Sequence, residues 1–178
     1  MVVDMPPAIA TTPIERPGDA MAPLRLPEDL LLSVEQFAAV CHANPDAALK
    51  LFDSSTGFRL PDGSVLSPDA SLIRQERWQA LSADERRGFA PLCPDLVAEL
   101  ASSSDEGPRG LTALRRKMAT YQANGAQLGW LLIPEQQTVE VWPAQGSGEP
   151  SRLNAATSLD AGPLFPGLQI ELQEIWHV

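Results

Sequence analysis

Alternation and one unbroken apolar run organise this chain. Residues 128–133 and 138–142 alternate around Pro134-Glu135-Gln136-Gln137, the pattern of a β-hairpin. Phe58-Arg59-Leu60 leads into Pro61-Asp62-Gly63, a strong turn signal, and Val65-Leu66 begins the return strand. That strand is expected to continue through 68–73, with Pro68 marking an edge, a bulge or a late start. Residues 96–100 are apolar almost throughout, as in a strand covered on both faces. Helical spacing places Leu111, Leu114, Met118 and Tyr121 on one face of a helix over 111–124, with Gly125 placed to end it.

Weaker patterns fill in the rest. Ser33-Val34-Glu35-Gln36 has capping-box form and opens a helix with Phe37, Val40 and Cys41 on its apolar stripe, stopping near Asn44-Pro45. A second short helical pattern covers 46–51, a third 75–81, and Ser82-Ala83-Asp84-Glu85 repeats the capping box before a polar turn of helix. Residues 102–108 and most of 146–161 read as loops. Leu168, Ile170 and Leu172 suggest a last short strand, with Ile175-Trp176 sealing the core. Residues 1–26, rich in Pro, Ala and Thr without periodicity, read as a disordered or loosely packed tail before a single domain over 27–178. The order predicts a mixed α/β core around one central sheet.

Composition narrows the function classes. The 178 residues are 44% hydrophobic, enough for one ordinary core, and no apolar run approaches the roughly 20 residues that span a bilayer. The first residues lack the basic and apolar segments of a secretory signal. Cys41 and Cys93 lie far apart without CxxC spacing, so reduced thiols in a cytoplasmic protein are the simplest reading. A net charge of −10 argues against broad, nonspecific nucleic-acid binding. A local basic cleft is compatible with it: Arg109, Arg115, Arg116 and Lys117 form the densest positive cluster, which could equally be a solvated helix face.

The candidate chemistry centres on Glu99. A carboxylate inside an apolar strand carries a desolvation cost unless a cation, a proton or hydrogen-bond donors meet it. Asp69, near the end of one strand, and Lys117, on the helix after Glu99, converge with it if the strands pair as expected. Two carboxylates close together repel, and a divalent cation between them removes the conflict. Oxygen ligands suit Mg2+, with Mn2+ as an alternative, and such a metal activates water against a phosphodiester. A lysine beside it can orient that water or neutralise the developing charge. Structural readings stand beside these: a turn aspartate for Asp69, a salt-bridged core glutamate for Glu99, and a snorkelling side chain for Lys117 or Arg115, both at the edge of the apolar stripe.

Competing chemistries have little support. His42 and His177 are the only histidines, Cys93 has no nearby base, and no GxGxxG or P-loop pattern occurs. Trp78, Trp130, Trp142 and Trp176 read as core or rim residues, with base stacking a minor alternative.

Five segments in order then resemble a known family: 52–58, Leu66-Ser67-Pro68-Asp69-Ala70-Ser71, Cys93-Pro94-Asp95-Leu96-Val97-Ala98-Glu99-Leu100, 117–126 and Gly129-Trp130-Leu131-Leu132. Together they are similar to the Uma-type putative restriction endonuclease family of the PD-(D/E)XK nuclease superfamily. The likeness is close over 52–142. It implies a restriction-endonuclease-like α/β fold, a central mixed β-sheet flanked by helices, a magnesium-dependent site and DNA as substrate. Asp69 then matches the PD aspartate and Glu99 the acid of the (D/E)XK strand. The third position of that strand motif is Ala101, and Lys117 on the following helix takes the lysine's place. The main-chain carbonyl of Leu100 would be a further metal ligand, and a double-strand cutter would call for a homodimer. This chain is shorter than its relatives between Asn44-Pro45 and Phe52 and has Ile133 where they carry an aspartate. These departures leave an alternative: a catalytically degenerate member acting as a binding or interaction module.

Overall fold

A computed structural model describes residues 49–102, 105, 107–165, 168–173 and 175–177. The predicted tail, the helix predicted near 33–44, Cys41, His42 and residues 46–48 lie outside them. The strands are β1 (Leu49–Asp53), β2 (Phe58–Arg59), β3 (Val65–Leu66), β4 (Ala70–Arg74), β5 (Leu96–Leu100), β6 (Leu128–Ile133), β7 (Thr138–Pro143), β8 (Ser151–Asn154), β9 (Ser158–Asp160) and β10 (Gln169–Glu171). Two α-helices accompany them among the described residues, α1 (Gln75–Gln79) and α2 (Pro108–Ala123).

Six strands form one sheet in the order β1-β4-β5-β6-β7-β8. Only β5 and β6 run parallel, and α2 is the crossover that a parallel pair requires. The remaining neighbours are antiparallel. The sheet is therefore mixed, as the sequence predicts.

Alternation sends successive side chains to opposite faces, and each face has its own core. Leu72, Leu96, Trp130 and Val139 point to one face, which the β9–β10 pair and the segment around Phe165, Leu168 and Leu172 cover. Ile73, Val97 and Leu131 point to the other, beneath Leu111, Met118 and Tyr121 of α2. Helix α2 ends where expected: Gly125 adopts φ +106°, and Ala126 N–H bonds back to the Tyr121 carbonyl at 3.0 Å.

Four local expectations change. Residues 49–51, predicted as helix, open strand β1 and pair antiparallel with β4, because a pattern of barely two turns yields to a full ladder partner. The return strand after the 61–63 turn stops at Leu66. Ser67-Pro68-Asp69 then carries the chain from the small β2–β3 ribbon to the start of β4, the late start that Pro68 allowed. The Ser82–Glu85 capping box forms, with Ser82 N–H donating to Glu85 at 2.8 Å and Glu85 N–H to Ser82 Oγ at 3.3 Å, yet it closes only a turn. Within 146–161, read as loop, lie β8 and β9, whose polar residues Ser151, Arg152, Asn154 and Asp160 concealed two short outer strands. No helix among the described residues is long and apolar enough to cross a membrane.

Candidate active site

The β4–β5 register pairs Ala70 with Ala98, so one step further sets Asp69 opposite Glu99. Residues opposite one another share a face, here the face covered by α2. Asp69 sits just before β4 and remains partly exposed. Its Oδ2 accepts a 2.8 Å hydrogen bond from Leu100 N–H, where the main-chain pairing of β4 with β5 has run out. That bond fixes the aspartate and the Leu100 peptide together.

Glu99 is 1% exposed. Lys117, two turns into α2, brings Nζ to 2.8 Å from each of its oxygens, hydrogen bonding to Oε2. The same ammonium donates to the Ser67 carbonyl at 2.8 Å. Glu99 Oε1 and the Tyr121 hydroxyl are both buried without a well-formed hydrogen bond among the described residues. Burial pushes the Glu99 carboxyl up to about 7; Lys117 opposes the shift, the Asp69 charge adds to it, and the adjacent Tyr121 hydroxyl opposes it. The structure thus brings Asp69, Glu99, Lys117 and the Leu100 main chain to one place.

Arg115, the mirror position on the helix, goes elsewhere. Its guanidinium holds Glu140 through Nε at 3.0 Å and Nη2 at 2.7 Å, and Arg152 Nη2 reaches the same carboxylate at 3.1 Å. Strand register explains the cluster. Glu99, Leu131, Glu140 and Arg152 are successive partners across β5, β6, β7 and β8, so they lie in one row on the α2 face. Burial works against ionised Glu140, but Arg115 and then Arg152 outweigh it and hold the carboxyl below its ordinary range. Sequence reasoning missed Glu140, since an acid in an alternating hairpin reads as solvent-facing.

Two other acids take different roles. Asp95 stands at the far end of β5 from Glu99, and its carboxylate receives Arg74 N–H at 2.8 Å, Arg74 Nη1 at 3.1 Å and Arg77 Nη1 at 2.8 Å. It clasps α1 to the sheet. Asp105, read only as loop, accepts from Ser102 N–H and Oγ at 3.1 and 2.6 Å, and with the Lys117 charge these hold it below the usual carboxylate range. Cys93 is structural as expected: burial pushes its thiol up to about 12, and Sγ contacts the Tyr121 carbonyl.

Among the described residues, no three His, Cys, Asp or Glu side chains cluster so as to hold a metal ion. Two carboxylates with main-chain oxygen nearby still match the chemistry of Mg2+, which takes one or two carboxylates and keeps several waters. The buried Glu99 carboxylate, whose Oε1 has Lys117 Nζ at 2.8 Å but no well-formed hydrogen bond, is the observation that fits such a ligand.

None of the curated proteins matches this chain. Among solved structures, it is similar to the crystal structure of a "putative nuclease" from Anabaena variabilis, with a TM-score of 0.62 and 18% identity over 81% of this chain and 78% of that one. At that identity the likeness carries the fold. The family model described as "Putative restriction endonuclease" matches residues 19–173. With the nuclease-like fold and most of the chain covered by that match, the protein belongs to the Uma2 family of restriction-endonuclease-like proteins.

Proposed function

We propose that this chain is a Mg2+-dependent DNA endonuclease, with Mn2+ able to substitute, and that Asp69, Glu99 and Lys117 carry the reaction. One observation supports it above the rest: a carboxylate 1% exposed, opposite a second carboxylate and held by a lysine. With both acids ionised and Lys117 charged, the three groups sum to −1, which favours a cation. Asp69, Glu99 and the Leu100 carbonyl would hold it. The bound ion would supply a Lewis acid for the phosphodiester and a nucleophilic water at neutral pH.

The chain's own groups divide the remaining work. Asp69 stays anchored through Leu100 N–H, which holds its carboxylate beside that of Glu99. Lys117 has three N–H donors. They face the Ser67 carbonyl and both oxygens of Glu99 at 2.8 Å, and a donor released from Glu99 on metal binding would orient the attacking water or meet a phosphate oxygen. Its place on α2 compensates for Ala101 at the usual lysine position of the strand. A reduced, buried Cys93 suits a cytoplasmic setting, and cutting both strands of a duplex would call for a homodimer.

The test is cleavage of supercoiled plasmid by purified full-length protein. The reading predicts nicking or linearisation that needs Mg2+ or Mn2+ and falls by at least about 100-fold in folded Asp69→Ala and Glu99→Ala variants. Equal activity in those variants would refute it. A folded wild-type chain that neither cleaves nor binds Mg2+ would instead establish the binding-module alternative.

A further inference from the structure

Tyr121 carries a polar atom that the two carboxylates and the lysine leave unaccounted for. Its side chain is 0% exposed and packs in the same core layer as Val97, Met118 and Leu131, between α2 and the sheet. The hydroxyl makes no well-formed hydrogen bond among the described residues, and neither does Glu99 Oε1. A buried donor left unpaired costs free energy that phenylalanine, with the same ring, would avoid. Packing accounts for the ring and leaves the hydroxyl unexplained.

That hydroxyl lies beside the candidate centre. Tyr121 follows Lys117 by one turn of α2, a spacing that makes two side chains neighbours on a helix. Both approach one carboxylate. Lys117 Nζ stands 2.8 Å from each oxygen of Glu99, and the Tyr121 hydroxyl adjoins the same group closely enough to act on its ionisation as a hydrogen-bond partner. The main chain at Tyr121 is also fixed: its carbonyl receives Ala126 N–H at 3.0 Å and lies 3.5 Å from Cys93 Sγ. A Cβ on Gly129 would meet Met118 Cε at 2.5 Å, so helix and sheet are closely apposed at the neighbouring turn.

We infer that Tyr121 is a positioning residue: its hydroxyl donates to the Glu99 carboxylate and holds it as a ligand for Mg2+ while Lys117 turns to the substrate. The inference rests on the reading of Asp69 and Glu99 as metal ligands. Lys117 faces both Glu99 oxygens, and its charge would compete with a divalent cation for them. A neutral phenol gives one proton and adds no charge, so it holds the carboxylate without that competition. Partners of this kind orient a metal-binding side chain, and their removal typically weakens metal binding by about 10–100-fold.

Tyr121 is the only tyrosine of the chain, which gives the test a private signal. Full-length protein made with tyrosine carrying carbon-13 at Cζ shows a single labelled resonance, and its position reports the hydrogen bond of the phenol. Titration with Mg2+ at pH 8 is expected to move that resonance in wild type and to leave it in place in Glu99→Gln. Calorimetry with Mn2+ is the second readout. Folded Tyr121→Phe, which keeps the ring and loses only the hydroxyl, should bind Mn2+ at least about tenfold more weakly than wild type. Equal affinity in the two proteins overturns the inference, as does a metal-induced shift that persists in Glu99→Gln. A wild-type resonance unmoved by saturating Mg2+ also overturns it, whether or not Tyr121→Phe folds. Metal-dependent plasmid cleavage surviving any of these results would leave the nuclease reading intact, whereas a wild-type chain that binds neither metal would overturn both.

Discussion

Glu99 shows how one residue can state both a cost and a purpose. Its carboxyl, pushed by burial up to about 7 from an ordinary 4.5, keeps its proton in the folded chain over a range where the unfolded chain releases it. Its contribution to stability is therefore complete below about 4.5 and is lost as pH rises through about 7. Measured against the non-titrating Glu99→Gln variant in EDTA, wild-type stability should fall by about 3 kcal/mol between pH 4.5 and pH 8. Urea denaturation of both proteins at the two pH values checks it, and a difference independent of pH would contradict it. That cost is what a cation between Asp69 and Glu99 would relieve. Glu99 was legible in the sequence because an acid in an apolar run breaks its pattern. Glu140 was not, because in an alternating strand the same residue breaks nothing until β8 adds Arg152 on the same face.

At the scale of elements, the site depends on how α2 is launched. A Cβ at Gly110, in its first turn, would meet the Asp105 main chain at 2.5 Å, so the loop after β5 lies directly against the helix. Gly110→Ala should force backbone apart and destabilise the chain by about 1–3 kcal/mol. A thermal melt should show it as a fall of several degrees, whereas an unchanged melting temperature would mean that the loop gives way freely. The apolar stripe of α2 and the hairpin of β6 and β7 could be read from periodicity because each buries a whole face. β1 could not, since its pairing with β4 depends on a partner some twenty residues away. β8 and β9 share that difficulty, being short, polar and held mainly by neighbours. Lys117 was placed on the edge of the stripe by helical geometry, but Arg115 was placed there equally, and only the sheet beneath separates their partners, Glu99 and Glu140.

For the whole molecule, an acidic composition of net charge −10 accompanies a nuclease-type fold. Among the described residues Lys117 lies against Glu99, while Arg74 and Arg77 pair with Asp95, Arg87 with Asp84, and Arg115 and Arg152 with Glu140. Family membership, over residues 19–173, makes the fold secure, and the proposed chemistry rests on two carboxylates and a lysine. Crystals soaked in Mn2+ test that chemistry most directly through the metal's anomalous signal. A single peak within coordination distance of both Asp69 and Glu99, with Lys117 Nζ beside it and no peak in an Asp69→Ala crystal, is the predicted result. Well-ordered crystals that show both side chains in clear density but no manganese between them, at millimolar metal and pH 8, would contradict the account.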